Sequence, residues 1–232
     1  MSRSEYFREI PETTWEIIAP RLPSTAGKVG RPFSDNRTIM EAIVYRFHVE
    51  CPWQVLPERF GPWQTVWKRH NLYSNTGIYG AIHQHVLALK DAEGDIDWAL
   101  SVDGMFSRAH QHATNTPRPD QHTGGARTNY KNSSPLCDEP AGHAVGRTRG
   151  GLATKTHAGV DGKDRTMVII VTGGQCHDGV VLPDVLEELR VPNLSDAGRP
   201  RVRPNVVIAD RAYSSAANRD HCRRQGIKFV SP

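Results

Sequence analysis

Three features that often reveal the class of a protein are missing from this sequence. No apolar run approaches the ~20 residues that a membrane-spanning helix needs, and the charged amino terminus has no apolar signal-peptide core. The four cysteines are scattered without a Cys-x-x-Cys pair, which argues against a zinc knuckle and a disulfide framework. We therefore expect a soluble cytoplasmic protein with reduced thiols and no membrane partner.

Charge is distributed unevenly along the chain. Its 232 residues are 38% hydrophobic, which is enough for a buried core, and the formal net charge is +4. Between Phe106 and His157 there are seven Lys or Arg residues, three acidic residues and five of the eleven histidines. This basic segment predicts a surface that faces phosphate groups. Within it, residues 114–132 are rich in Pro, Gly, Thr and Asn, and they predict a surface loop.

Two short apolar runs, each ending at an aspartate, organise the rest of the chain. Residues 98–102 lead to Asp103 and residues 206–209 lead to Asp210, and both runs are typical of buried strands. If these strands are neighbours, their carboxylates lie close enough to share a metal ion. Oxygen ligands without Cys or His favour Mg²⁺ or Mn²⁺, and such a site favours phosphoryl transfer. An aspartate at a strand end is also a common turn former.

Four stretches of the sequence together resemble a known family. They are Ser101–Gly104, Arg108–His112, Gly146–His157 and Ala209–Tyr213. Their order and spacing, from about residue 30 to the last residue, are similar to those of bacterial insertion-sequence transposases of the DDE class. Within that class, the resemblance is to the fifth insertion-sequence family.

This resemblance implies a fold, a cofactor and a partner. The fold would be α/β, a ribonuclease-H-like mixed sheet flanked by helices and preceded by a small all-α module. Asp103 and Asp210 would be the first two catalytic carboxylates of an Asp-Asp-Glu triad and would hold Mg²⁺ or Mn²⁺. The partner would be double-stranded DNA, both insertion-sequence ends and target, bound by a homo-oligomer associated with the nucleoid. The residues expected to contact DNA are Lys68, Arg69, Arg108, Arg147, Arg149, Lys155, His157 and Arg211.

The composition divides the chain into three parts. We assign an N-terminal tether to residues 1–32, a helical module to 33–92 and the catalytic core to 97–232. In the helical module, Asp35 is a candidate N-cap, and the helix after it has a wide apolar face that includes Phe47.

The end of the helical module indicates a helix-turn-helix. A tight turn at 74–77 precedes its third helix, although any small helical bundle gives the same periodicity. By the helix-turn-helix template, the third helix would present Tyr79, His83 and Gln84 to the DNA groove, with Lys68, Arg69 and His70 beside the phosphates.

A β-hairpin is predicted between the two aspartates. Residues 151–160 alternate as a half-buried strand, 161–164 form a turn, and 166–171 form a second strand; we expect the hairpin to pair with the Asp103 strand. Lys155 and His157 share one face, which either points toward the site or is a solvated outer face.

A helix is predicted after the hairpin. Asp178 is its N-cap or an acid of its first turn. The preceding His177 either orients a phosphate or is an ordinary hydrogen-bonded loop residue.

The sequence departs from the family pattern in one respect. The third carboxylate should be a glutamate well after Asp210, but no Glu occurs between Arg211 and Pro232, where the only acid is Asp220. We interpret the chain as a truncated product or as one reading frame of an element. Two alternatives to an active transposase therefore stay open: a catalytically inactive fragment that only binds DNA, and an unrelated metal-dependent nuclease of similar fold.

Overall fold

The computed structural model describes residues 7–24, 35–109, 144–194 and 198–232, which form two compact units. The first unit extends to Val86, and the second begins at Leu87. The predicted surface loop at 114–132 lies outside the described residues. No helix in the described part of the chain is long and apolar enough to cross a membrane.

The first unit is helical. Its helices are α1 (Glu12–Ile18), α2 (Asn36–Val49), α3 (Trp63–Asn75) and the first part of α4 (Ile78–Ala92). α2 begins where the sequence predicts, because the Asp35 carboxylate accepts a hydrogen bond from the Thr38 backbone N–H at 2.8 Å. Pro52 and Pro57 then interrupt the helical path, and each precedes a short 3-10 turn.

The core of the first unit contains the inner faces of α2 and α3. Ile39 and Ile43 of α2 are buried in one cluster with Val66 of α3. The apolar face of α2 is narrower than predicted, since the Phe47 side chain is 51% exposed. Phe47 lies in the last turn of α2, where its ring meets Trp53 edge-on with the ring centroids 6.3 Å apart.

A two-residue connection joins α3 to α4. Gly77, the second of these residues, has a φ of +72°, a left-handed conformation that glycine adopts without a Cβ clash. The structure therefore contains the tight turn that the sequence predicts.

The second unit is built on a mixed β-sheet. Its strands in the described residues are β1 (Ala99–Arg108), β2 (Gly146–Thr148), β3 (Gly151–Val160), β4 (Thr166–Gly173), β5 (Val206–Ala209) and β6 (Lys228–Val230). The helices of this unit beyond α4 are α5 (Asp178–Glu188) and α6 (Ala216–Arg224). β1 is longer than predicted, because it continues past Asp103 while it is paired with β3.

β1 lies inside the sheet, with a neighbour on each edge. β3 pairs with β1 antiparallel, β5 pairs with it parallel on the other edge, and β6 continues parallel beyond β5. β3 and β4 form the predicted hairpin, and β2 pairs with the start of β3. Antiparallel and parallel pairs combine with helices here, which confirms the α/β class and agrees with the predicted ribonuclease-H-like fold.

α5 contributes much of the apolar core of the second unit. Leu182 and Val185 are buried in one cluster with Leu100 and Val102 of β1. Because side chains alternate along a strand, Asp103 belongs to the opposite face of β1.

Pro183 lies inside α5 and removes one of its backbone hydrogen bonds. Proline has no backbone N–H, so the Gly179 carbonyl four residues earlier receives no helical hydrogen bond from it. The buried Asn218 side chain of α6 supplies a donor instead: its Nδ2 donates to the Gly179 carbonyl at 2.7 Å and to the Tyr213 carbonyl at 2.8 Å. One amide group thereby joins α5, α6 and the 3-10 turn at Arg211–Tyr213.

Two valines of α5 provide a matched test of this packing. Val185 is 0% exposed, whereas Val180 is 59% exposed. We expect Val185→Ala to lower the free energy of unfolding of the second unit by about 2 kcal/mol, through lost apolar burial and the cavity left behind. Val180→Ala should change it by less than about 0.5 kcal/mol. Urea unfolding followed by circular dichroism measures both variants, and equal losses would contradict the packing described.

Candidate active site

The two aspartates predicted to be catalytic follow neighbouring strands. In the parallel pair of β1 and β5, Val102 is opposite Ala209, so Asp103 and Asp210 come next on the two adjacent segments. Val102 and Ala209 are buried in the core, and successive side chains alternate between the two faces of a sheet. Both aspartates therefore belong to the face away from that core, and both are exposed.

Each of these carboxylates is oriented by a backbone hydrogen bond. Asp103 Oδ1 accepts from the Gly104 N–H at 2.7 Å. Asp210 Oδ1 accepts from the Ala212 N–H at 2.9 Å and thereby caps the 3-10 turn after β5. The two carboxylates are thus directed by the backbone while their charge stays in contact with solvent.

Lys155 and His157 lie on the core side of β3. The sequence predicts DNA contacts for both, but Lys155 is only 5% exposed and His157 is 0% exposed. They share one face of the strand, as predicted, and it is the buried face. A buried side chain does not reach a phosphate, so the structure does not support a direct DNA contact by either residue.

The ammonium group of Lys155 is surrounded by polar and aromatic partners. Its Nζ donates to the Cys176 carbonyl at 2.9 Å and lies 2.9 Å from Asp178 Oδ1. It also lies 4.2 Å from the centre of the Phe106 ring. These partners replace the water that the ammonium group loses on burial, which allows a charged lysine inside the unit.

His157 bridges two strands and the turn after β5. Its Nδ1 lies 3.1 Å from the Tyr213 hydroxyl, and its Nε2 lies 3.0 Å from the Thr172 hydroxyl of β4. Burial lowers the pKa of His157 and outweighs the opposing effect of Asp178. The imidazole is therefore neutral near pH 7 and acts as a hydrogen-bonding bridge.

The Tyr213 hydroxyl lies within the electrostatic reach of three carboxylates. Burial, followed by the charges of Asp178, Asp103 and Asp210, raises the pKa of Tyr213. The phenol therefore stays protonated at neutral pH. All three aspartates therefore lie near this hydroxyl.

Asp178 is the acidic residue whose place in this region the sequence does not reveal. A Cβ atom on Gly104 would lie 2.9 Å from Asp178 Oδ1 and 3.3 Å from the Tyr213 hydroxyl oxygen. The absence of a side chain at this position lets both groups approach β1 directly behind Asp103. The signal that was available in the sequence is Gly104 itself, immediately after the predicted catalytic aspartate.

His177 caps α5. Its Nδ1 accepts a hydrogen bond from the Gly179 backbone N–H at 3.1 Å, and Asp178 is then an acid of the first turn. Of the two interpretations that the sequence allows for His177, the structure shows the hydrogen-bonded one.

Five of the eight residues predicted to contact DNA are exposed. They are Lys68, Arg108, Arg147, Arg149 and Arg211. Arg108 and Gly146 are both opposite Ala153, on the two edges of β3, so Arg108 and the arginines of β2 and its following turn lie at one end of the sheet.

Two residues predicted to face DNA from the helical unit pack against other side chains of that unit. Arg69 is 5% exposed, and its guanidinium lies 5.8 Å from the centre of the Tyr73 ring. The Tyr79 hydroxyl lies 2.9 Å from His70 Nδ1, and its ring meets Tyr73 edge-on; burial raises the pKa of Tyr79 to about 12. The burial of Arg69 argues against its predicted phosphate contact, whereas Tyr79 is half-buried and hydrogen-bonded within the unit.

The donor set at the strand ends fits a hard divalent cation held by few protein ligands. Among the residues that the structure describes, no group of three or more His, Cys, Asp or Glu side chains is placed to hold a metal ion. Asp103 and Asp210 are two exposed carboxylates on adjacent segments, and Mg²⁺ is often bound by one or two carboxylates while it keeps several waters. A cation also relieves the repulsion between two like charges.

Comparison with protein families identifies the chain. Residues 95–232, more than half of the sequence, match the family of the transposase DDE domain. The chain belongs to the DDE transposases. Residues 10–83 of this transposase match DUF4096, a domain attributed to transposases of the IS4/5 family, which agrees with the predicted insertion-sequence family.

Two individual proteins are similar to this transposase. An uncharacterized protein, y4sN, of Sinorhizobium fredii (strain NBRC 101917 / NGR234) is 33% identical over 105 residues, which are 45% of this chain and 79% of that protein. A chain in the crystal structure of the Mos1 strand transfer complex is 12% identical, with a TM-score of 0.30. That similarity covers 88% of this transposase and 60% of the Mos1 chain.

The buried, neutral His157 predicts a pH dependence of stability. Because burial lowers the pKa of His157 in the folded chain, the unfolded chain binds a proton more readily as the pH falls. The free energy of unfolding should be highest above about pH 6.5 and should fall as the pH drops toward the lowered pKa of the folded state. We expect His157→Gln to reduce this loss, measured by urea unfolding of the second unit at about pH 7.5 and about pH 5.5. The prediction would be contradicted if the free energy of unfolding fell by the same amount between these two pH values in the wild type and in the variant.

Proposed function

We propose that this transposase cuts the phosphodiester backbone at the ends of an insertion sequence and joins the freed end to target DNA. Asp103 and Asp210 are its metal-binding and catalytic carboxylates in this proposal. The observation that carries the proposal is the parallel register of β1 and β5, in which Val102 is opposite Ala209 and the two aspartates follow. Membership of the DDE transposases supports the reaction class.

Asp103 and Asp210 would together hold Mg²⁺ or Mn²⁺. When bound, a divalent ion lowers the pKa of a water nucleophile and neutralises charge at the scissile phosphate. The backbone N–H groups of Gly104 and Ala212 orient the two carboxylates before DNA arrives. Orientation of this kind reduces the entropy that is lost when the reacting groups are brought together.

Exposed arginines near the carboxylates would position the DNA backbone. Arg211 directly follows Asp210. The arginine cluster at the end of β1, defined as Arg108, Arg147 and Arg149, lies five residues beyond Asp103, or about 17 Å along an extended strand. Guanidinium groups bind phosphates strongly without reading the base sequence. Because an odd number of positions separates Arg108 from Asp103, Arg108 belongs to the opposite face of β1. Arg147, Arg149 and Arg211 would therefore direct a DNA backbone along the sheet to the aspartates.

The partners of this reaction would be double-stranded DNA and further copies of the chain. The DNA would include both the insertion-sequence ends and the target. A homo-oligomer on DNA would bring two ends together, and the protein would act at the nucleoid in the cytoplasm.

A second candidate function is DNA binding without cleavage. Residues 211–232 contain no Glu that could act as a third carboxylate beside Asp103 and Asp210. The only acid in that stretch, Asp220, is exposed and pairs with Arg223 at 2.6 Å. In this alternative the chain would recognise element ends or interfere with an active transposase.

Nicking of end-sequence DNA distinguishes the two candidates. We expect the purified chain to nick such DNA in Mg²⁺, and we expect Asp103→Asn to reduce nicking at least about a hundredfold, because it removes a charged ligand of the ion. Asp220→Asn is the matched control, since Asp220 is an exposed surface acid, and it should retain nicking. Specific DNA binding by the wild type without any nicking in Mg²⁺ or Mn²⁺ would favour the second candidate.

The salt dependence of DNA binding tests the arginine cluster. The logarithm of DNA affinity falls linearly with the logarithm of salt concentration, and each phosphate contact that is lost makes this slope shallower by about 0.9. We therefore expect Arg147→Gln/Arg149→Gln to make the slope shallower by up to about 1.8. The control is Lys90→Gln/Lys163→Gln, which removes the same charge from two lysines that both pair with Asp95. It should leave the slope unchanged. Equal slopes for the wild type and the arginine variant would contradict the proposed DNA path.

A further inference from the structure

The Lys155–Asp178 pair is a charged feature of the second unit's interior that the proposed reaction does not use directly. Lysine is rarely fully buried, yet Lys155 is 5% exposed, with its Nζ 2.9 Å from Asp178 Oδ1. The Asp178 side chain is 24% exposed, and replacing even a buried ion pair by apolar residues of similar size is often neutral or stabilising. Stability of the fold is therefore a weak reason for a charge pair at this position.

Asp178 lies near both segments that carry the proposed metal ligands. Its Oδ1 lies against Gly104, the residue after Asp103, at 2.9 Å from the position that a Cβ atom would occupy. The Tyr213 hydroxyl, three residues after Asp210, lies at 3.3 Å from the same position. The pair is thus in contact with the end of the first aspartate segment and close to the turn that follows the second.

The charges in this region are close enough to influence one another. Asp178, Asp103 and Asp210 all act on the Tyr213 hydroxyl, and Lys155 is the buried cation beside Asp178. Charges a few ångströms apart in partly buried surroundings interact by an amount that changes equilibria severalfold or more. The balance between Lys155 and Asp178 therefore contributes to the electrostatic potential at the two exposed aspartates.

We propose that Asp178 is a positioning residue which, with Lys155 as its counter-ion, sets the divalent-cation affinity of the Asp103–Asp210 site. Asp178 acts through Gly104 and through its charge, without itself being a ligand. This inference rests on the proposed function, because it assumes that Asp103 and Asp210 hold the ion. It also gives Lys155 an internal role in place of the predicted contact with DNA.

Mn²⁺ binding to the full chain, without DNA, tests the inference. Free Mn²⁺ is measured by electron paramagnetic resonance at fixed pH and ionic strength for the wild type, Asp178→Asn, Lys155→Met and the double variant. We expect Asp178→Asn to weaken binding about tenfold, because it removes a negative charge and leaves the lysine uncompensated. Lys155→Met should strengthen binding at least about threefold, and the double variant should return to within about twofold of the wild type.

Recovery in the double variant separates a charge effect from a purely structural one. If Asp178 only supports the fold, the double variant will bind Mn²⁺ at least as weakly as Asp178→Asn, and the inference is wrong. If circular dichroism shows that Asp178→Asn does not fold, the Mn²⁺ affinity of the double variant tests the inference by itself, because that variant carries no unpaired buried charge. Thr172→Val, which cuts a neutral contact of His157, is the uncharged control and should leave Mn²⁺ affinity unchanged.

A separate variant distinguishes failure of the inference from failure of the proposed function. Asp103→Asn/Asp210→Asn should abolish Mn²⁺ binding at this site. If it does so while Asp178→Asn and Lys155→Met bind like the wild type, the inference is overturned and the metal site stands. If it binds Mn²⁺ like the wild type, the proposed metal site is itself wrong, and the inference is overturned with it.

Discussion

The parallel pairing of β1 with β5 is the constraint on which the second unit depends. Side chains alternate along a strand, so a slip of one residue would turn a carboxylate into the core and an apolar side chain out of it. The burial of Val102 and Ala209 holds the register in which Asp103 and Asp210 follow side by side. Because β1 is also paired with β3, it cannot shift against one neighbour without disturbing the other.

The interior behind these strand ends contains polar side chains, where apolar side chains are more usual. Lys155, His157 and Tyr213 are all buried there, and each has a polar partner. A polar network of this kind is more rigid than a set of apolar contacts, because each hydrogen bond requires a particular geometry. The site is therefore best understood as two layers, with exposed acids in front and a fixed set of hydrogen-bonding and charged groups behind.

Local patterns in the sequence were sufficient to predict much of the fold. The Asp35 cap, the hairpin of β3 and β4, and the strand that ends at Ala209 depend on residues close to one another in the chain. The face on which Lys155 lies was not predictable in the same way. Alternation shows that Lys155 and His157 share a face, but the burial of that face depends on α5, more than twenty residues later.

The same limitation explains the errors in the helical unit. Tyr79 is predicted to face the groove and Arg69 the phosphates, but a single helix does not reveal which of its polar faces is covered by a neighbour. Both side chains pack against Tyr73, which neither spacing nor composition indicates. Asp178 was identified as a first-turn acid from local rules, whereas its approach to Gly104 depends on how α5 meets the sheet.

Pro183 and Asn218 are thirty-five positions apart, yet a single carbonyl group connects them. The proline leaves the Gly179 oxygen without a donor from its own helix, and the asparagine amide supplies one from another helix. Replacing Asn218 would leave the buried Gly179 carbonyl without a hydrogen-bond donor. Replacing Pro183 would restore a backbone donor within α5. These two positions should therefore covary among related sequences, with proline found where an asparagine supplies a donor to the Gly179 carbonyl.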